Sequence, residues 1–103
     1  MGKNSYNKLV RDKIPELLDS KGVFYEKRIA GKEEYKQELF KKLKEEFEEF
    51  WEEKNVEELV DIIEVVNAIK KLPEYKKVEK LRLKKLKERG GFKKKIILKG
   101  EKS

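Results

Sequence analysis

Between Lys32 and Lys54 apolar residues recur only where one side of an α-helix would place them, and this periodicity constrains the fold more than any other feature. At 100° per residue, Leu39, Phe40, Leu43, Phe47, Phe50 and Trp51 share one arc of roughly 120°. Asn55 interrupts the pattern, and a second helical stretch runs from Val56 to about Leu72. Its apolar residues cover more than half the circumference, so burial on several sides is expected, and in so short a chain that implies a homo-oligomer. Without such periodicity the composition, 37% hydrophobic and 48% charged, would suit a disordered chain.

The remaining segments are shorter. Leu9, Val10, Ile14, Leu17 and Leu18 lie at near-helical spacing, with Pro15 suited to a first helical turn and Gly22 to a C-terminal stop. The stretch 23–29, VFYEKRI, is β-prone and alternates in part. After Pro73, residues 74–89 predict a third long helix ended by Gly90-Gly91. The tail FKKKIILK predicts a short strand over 95–99, pairing with 23–29 because neither would stand alone. The expectation is a single all-α domain over 1–103, an antiparallel helical bundle with a minor two-strand element formed by residues 23–29 and 95–99.

Residue types narrow the chemistry. The chain has no cysteine and no histidine, which removes disulfides, thiolate ligands, the commonest general base and the commonest zinc ligand. Catalysis would fall to carboxylates, lysines, hydroxyls or a hard cation held by oxygen. No apolar run suits a membrane span, and MGKNSYNK lacks a signal-peptide apolar core, so a cytoplasmic location is expected. Abundant Lys and Glu would suit a thermophile.

The formal charge of +7 is segregated. Residues 1–32 carry +4, residues 33–69 carry −8 and residues 70–103 carry +11. Divalent cations would favour the middle and phosphates the flanks. Within the acidic middle, Glu46, Glu49 and Glu53 line one flank of the first apolar stripe, whereas Glu45, Glu48 and Glu52 lie toward solvent. On the next helix Glu58 falls inside the apolar arc and Asp61 at its edge, while Glu57 and Glu64 point away. Antiparallel packing across Lys54-Asn55 would let Glu46, Glu49, Glu58 and Asp61 converge. Four such carboxylates repel one another unless a cation such as Mg²⁺ or Mn²⁺ compensates them. A plainer account also fits: acidic helices are common solvated faces, and Asn55 with Glu58 makes a capping box.

Three stretches, YNKLVRDKIPE, the pair KEEFEEF and EELVDIIEV, and KERGGF, resemble in that order the all-α nucleoside triphosphate pyrophosphohydrolase superfamily. The branch they resemble is that of the small MazG-like, phosphoribosyl-ATP pyrophosphohydrolase-like proteins. The resemblance spans Tyr6 to about Leu98 and departs from the family in the short gap between its two acidic motifs. It implies Mg²⁺ (or Mn²⁺) ligands at Glu46, Glu49, Glu58 and Asp61, and hydrolysis of a triphosphate to the monophosphate and pyrophosphate. Glu49 or Glu46 would act as the catalytic base, a choice the sequence leaves open. Lys8, Arg11, Lys13, Lys85 and Arg89 are the candidate phosphate-binding cations, the arginines favoured because guanidinium matches phosphate bidentately. Trp51 and Phe92 are either base-stacking residues or core. Expected partners are a nucleoside triphosphate and a second copy, as a homodimer or dimer of dimers, with no membrane or nucleic acid. Competing readings are the phosphoribosyl-ATP reaction, a nucleic-acid-binding helical protein using residues 70–103, and an inactive scaffold.

Overall fold

The computed structural model describes residues 7–101; Tyr6, the first residue of the N-terminal motif, lies outside them. The chain is all-helical, with α1 (Ile14–Ser20), α2 (Lys32–Glu53), α3 (Val56–Lys70) and α4 (Val78–Arg89). Pro15 occupies the first turn of α1. Gly22 ends it with a positive φ of 69°, while Gly22 N–H donates to Asp19 O and Val23 N–H to Leu18 O. These paired bonds form a Schellman stop, which needs the left-handed conformation glycine adopts without strain.

Two residues join α2 to α3. Lys54 closes α2 in the left-handed region, φ 51°, its N–H donating to Phe50 O at 2.7 Å. That conformation costs a non-glycine residue roughly 1–2 kcal/mol, offset in part by the Lys54 ammonium lying 4.3 Å from the centre of the Trp51 ring. Asn55 then caps α3, its Oδ1 accepting from the Glu58 amide at 2.9 Å.

The α2–α3 contact is the one extensive helix–helix interface among the described residues. Its core is Leu39 from α2, Val65 from α3 and Leu72 just beyond, with Leu9, Leu43, Ala68 and Ile69 packed around them. The Leu39 side chain is almost completely enclosed. Leu39→Ala is expected to cost roughly 2–5 kcal/mol of unfolding free energy, the range for emptying a packed leucine site, measurable as a shifted denaturant midpoint.

Two elements differ from the sequence expectation. Residues 23–29 and 95–99 form no strand, and no strand occurs among the described residues. Phe24, Ile29, Ile97 and Leu98 are each about fully exposed instead. A lone two-strand ribbon has too little apolar face to hold itself together, and Lys95, at φ 59°, breaks the second segment where extended backbone would be needed. The stretch 74–89 is not one helix either. Pro73–Tyr75 is a single 3₁₀ turn, after which the chain restarts as α4. Tertiary contacts hold that turn against α2: Tyr75 meets Phe40 edge-on at 6.3 Å, and Lys36 pairs with Glu74 at 2.8 Å. Among the described residues no helix is long and apolar enough to cross a membrane.

Candidate metal centre

The α2–α3 interface buries carboxylates as well as hydrocarbon. Glu46 follows Leu39 by seven residues, two helical turns, and so meets the same face of α3. Glu58 and Asp61 stand one turn apart on α3, on the side that also carries Val65. One carboxylate oxygen from each of Glu46, Glu58 and Asp61 lies within 4.8 Å of the other two. Glu46 is the one buried charged residue among those described, 7% exposed.

Two of these carboxylates each keep one oxygen uncompensated. Glu46 Oε1 and Glu58 Oε2 are both enclosed and have no hydrogen-bond partner. Burial, then the neighbouring Glu49, pushes the Glu46 carboxyl up to about 6 against the opposing pull of Lys42. Burial raises the Glu58 carboxyl as well, followed by the charges of Glu49, Asp61 and Glu53. An oxygen-only set with unpartnered lone pairs has the donor chemistry of a hard divalent cation.

The capping account explains only the backbone of Glu58. Its amide completes the Asn55 cap, whereas its Oε2 remains unpartnered. Asn55→Ala is therefore expected to lower stability by about 1 kcal/mol in a denaturant melt, and Glu58→Gln to leave that contribution intact. Glu48, Glu52, Glu57 and Glu64 are exposed, as a solvated face requires, and half-buried Glu45 pairs with Lys42 at 3.1 Å.

The other expected site residues divide. Glu49 is exposed and stands outside the trio, near enough for its charge to act on both Glu46 and Glu58. Arg11 reaches the cluster, its guanidinium donating to Asp61 Oδ1 at 2.7 Å. Lys8 lies 3.9 Å from Glu45. Lys13, Lys85 and Arg89 are exposed, and none makes a described ion pair with the trio. The ion-pair partner of Arg11 is Asp61, fifty residues away, rather than its chain neighbour Asp12. Trp51 is not core: it is more than half exposed and stacks on Phe47 at 6.2 Å. Phe92 is 95% exposed.

Lys42 is the residue the sequence reasoning missed. Its ammonium lies 3.6 Å from Glu46 Oε2 and 3.1 Å from Glu45 Oε1, with its side chain largely buried. The i, i+4 spacing to Glu46 was the available signal. With 28 Lys and Arg in the chain, that spacing alone did not distinguish it.

No family model matches the chain, and neither a curated protein nor a solved structure does. The site is thus defined by its own geometry: three carboxylates gathered between two packed helices, with cations at one edge.

Proposed function

We propose that the chain is a Mg²⁺-dependent nucleoside triphosphate pyrophosphohydrolase, releasing pyrophosphate and a nucleoside monophosphate. In this reading α2 and α3 form the antiparallel pair of an all-α pyrophosphohydrolase fold, and noncanonical nucleotides are its substrates. The observation that carries it is the approach of Glu46, Glu58 and Asp61 to within 4.8 Å, with unpartnered oxygens on two of them. These positions coincide with the ligands implied by the resemblance of KEEFEEF and EELVDIIEV.

Glu46, Glu58 and Asp61 would hold the ion. When bound, Mg²⁺ supplies a Lewis acid for phosphate oxygens and a water of lowered pKa. Of the two carboxylates considered as base, Glu49 is the exposed one, and in this reading it would accept the proton of the attacking water on its carboxylate oxygen. Glu46, enclosed and paired with Lys42, is better suited to ligation. Arg11 donates one N–H to Asp61, and its fork carries further donors for phosphate oxygens. Lys8 would add positive charge, and Lys13, Lys85 and Arg89 are further candidates for the outgoing pyrophosphate.

The test is pyrophosphate release from a panel of ordinary and modified triphosphates, with phosphoribosyl-ATP included, in the presence of Mg²⁺. The expected result is release that Glu49→Gln and Asp61→Asn abolish while far-UV circular dichroism stays unchanged. If no nucleotide yields pyrophosphate and the protein instead shows salt-sensitive binding to RNA or DNA, the basic segment 70–103 is the functional surface.

A further inference from the structure

Lys42 holds one end of the most buried carboxylate of the trio. Its ammonium lies 3.6 Å from Glu46 Oε2 and 3.1 Å from Glu45 Oε1. The Lys42 side chain is only 18% exposed, and Glu45 is met in turn by Lys8 at 3.9 Å. The other oxygen of Glu46, Oε1, is enclosed and has no hydrogen-bond partner. The two oxygens of this carboxylate are therefore divided, one given to a lysine and one left over. Asp61 is divided in a similar way, because Arg11 donates to its Oδ1.

We propose that Lys42 determines which cation the trio selects: by engaging Glu46 Oε2 it restricts Glu46 to a single ligand oxygen, favouring Mg²⁺ or Mn²⁺ over Ca²⁺. The proposal rests on the metal-centre reading and deepens it. Ca²⁺ gathers about six to eight oxygens and takes carboxylates in bidentate fashion, whereas Mg²⁺ demands a small octahedron and keeps several waters. Three residues that each offer one oxygen, all within 4.8 Å of one another, suit the second ion better. A Glu46 carboxylate released from Lys42 would present both oxygens and so improve the site for Ca²⁺. Lys42 cannot be a ligand itself, since an ammonium has donors and no acceptor. It acts through Glu46 and is a positioning residue.

Removing its positive charge also strengthens the attraction of the site for any divalent cation. That effect is common to Mg²⁺ and Ca²⁺, which carry the same charge. The ratio of their two affinities therefore reports the geometry. The test is calorimetric titration of the full chain with Mg²⁺ alone and with Ca²⁺ alone, without nucleotide. Lys42→Met, similar in length and uncharged, is expected to shift the ratio of Kd values toward Ca²⁺ by about 10-fold or more, the scale for losing an outer partner of a ligand. Lys42→Arg keeps a cation there and is expected to preserve the wild-type ratio. Lys42→Gln is titrated in parallel as a second neutral variant, with folding followed by circular dichroism. An unchanged ratio in the neutral variants, including equal tightening of both ions, would overturn the proposal and leave the metal centre standing. Loss of the fold in both neutral variants would also overturn it, marking Lys42 as structural. A wild-type chain that binds neither ion would remove the metal centre itself, and the proposal with it.

Discussion

Glu58→Gln is expected to reduce Mg²⁺-dependent pyrophosphate release by at least about 100-fold, the upper range for losing merely an outer partner of a metal ligand. The same substitution is expected to make the metal-free chain more stable at neutral pH. Both effects have one cause. Glu58 brings a charge into an enclosed site beside Glu46 and Asp61, where its Oε2 has no partner and burial already raises its carboxyl. Glutamine keeps the shape, removes the charge and offers an N–H₂ donor to the remaining carboxylates. The Asn55 cap survives because it uses the Glu58 backbone. Calorimetric Mg²⁺ titration and thermal melts in chelator check the two halves. A variant that loses activity and also melts lower without metal would mark Glu58 as a structural residue.

In the absence of divalent cations, stability should fall as pH rises from about 4.5 to 7, and saturating Mg²⁺ should abolish most of that fall. The Glu46 carboxyl is held at about 6 in the folded chain, above its ordinary 4.5. The folded state therefore binds this proton more tightly than the unfolded state. The contribution is fully present below the ordinary value and is lost as pH passes through about 6. Its size is on the order of 1–2 kcal/mol, the lower end allowing for water that still reaches the site. That corresponds to roughly 5–10 °C in Tm. Glu58, raised in the same direction, adds to the trend. The opposing groups act in another window. Glu79, held down to about 2 by Arg82 and then Lys70, stabilises above its ordinary value and loses that effect only in stronger acid. Glu34 beside Arg28 and Glu74 beside Lys36 are also lowered and behave likewise. Melting curves in chelator and in Mg²⁺, taken between pH 4.5 and 7.5, separate these groups. A Tm in chelator that is flat or rises over that range would remove Glu46 as a strained carboxylate.

Much of the local structure was legible. The bounds of α2, the Pro15 start and Gly22 stop of α1, and the Asn55 cap of α3 follow from forces acting within four residues along the chain. The acids beside the core were separable only in part from those in solvent. Wheel position relative to the apolar arc set Glu46, Glu58 and Asp61 apart from Glu48, Glu52, Glu57 and Glu64, but it grouped Glu49 and Glu53 with Glu46, and both are exposed. What failed were statements about pairing. Residues 23–29 and 95–99 have strand-like side chains, but a strand exists only with a partner, and none is present among the described residues. Phe47 and Trp51 share the α2 arc with Leu39, yet more than half of each is exposed, because α3 covers the Leu39 side and not the aromatic edge.

The sequence by itself determined where α1, α2 and α3 lie, that any catalysis would have to do without histidine and cysteine, and that Glu46, Glu58 and Asp61 border apolar surface. These follow from residue chemistry and helical period alone. Only the tertiary structure decided that Glu46, Glu58 and Asp61 come within 4.8 Å while Glu49 stays outside. It also decided that Arg11 reaches across fifty residues to Asp61 and that Lys42 supports Glu46. It split the broad apolar surface of α3 into a face spent on α2 and a stripe, Val56, Leu59, Ile63 and Val66, left exposed. Periodicity shows which residues share a side of a helix, whereas the rotation of one helix against its neighbour shows which side is taken.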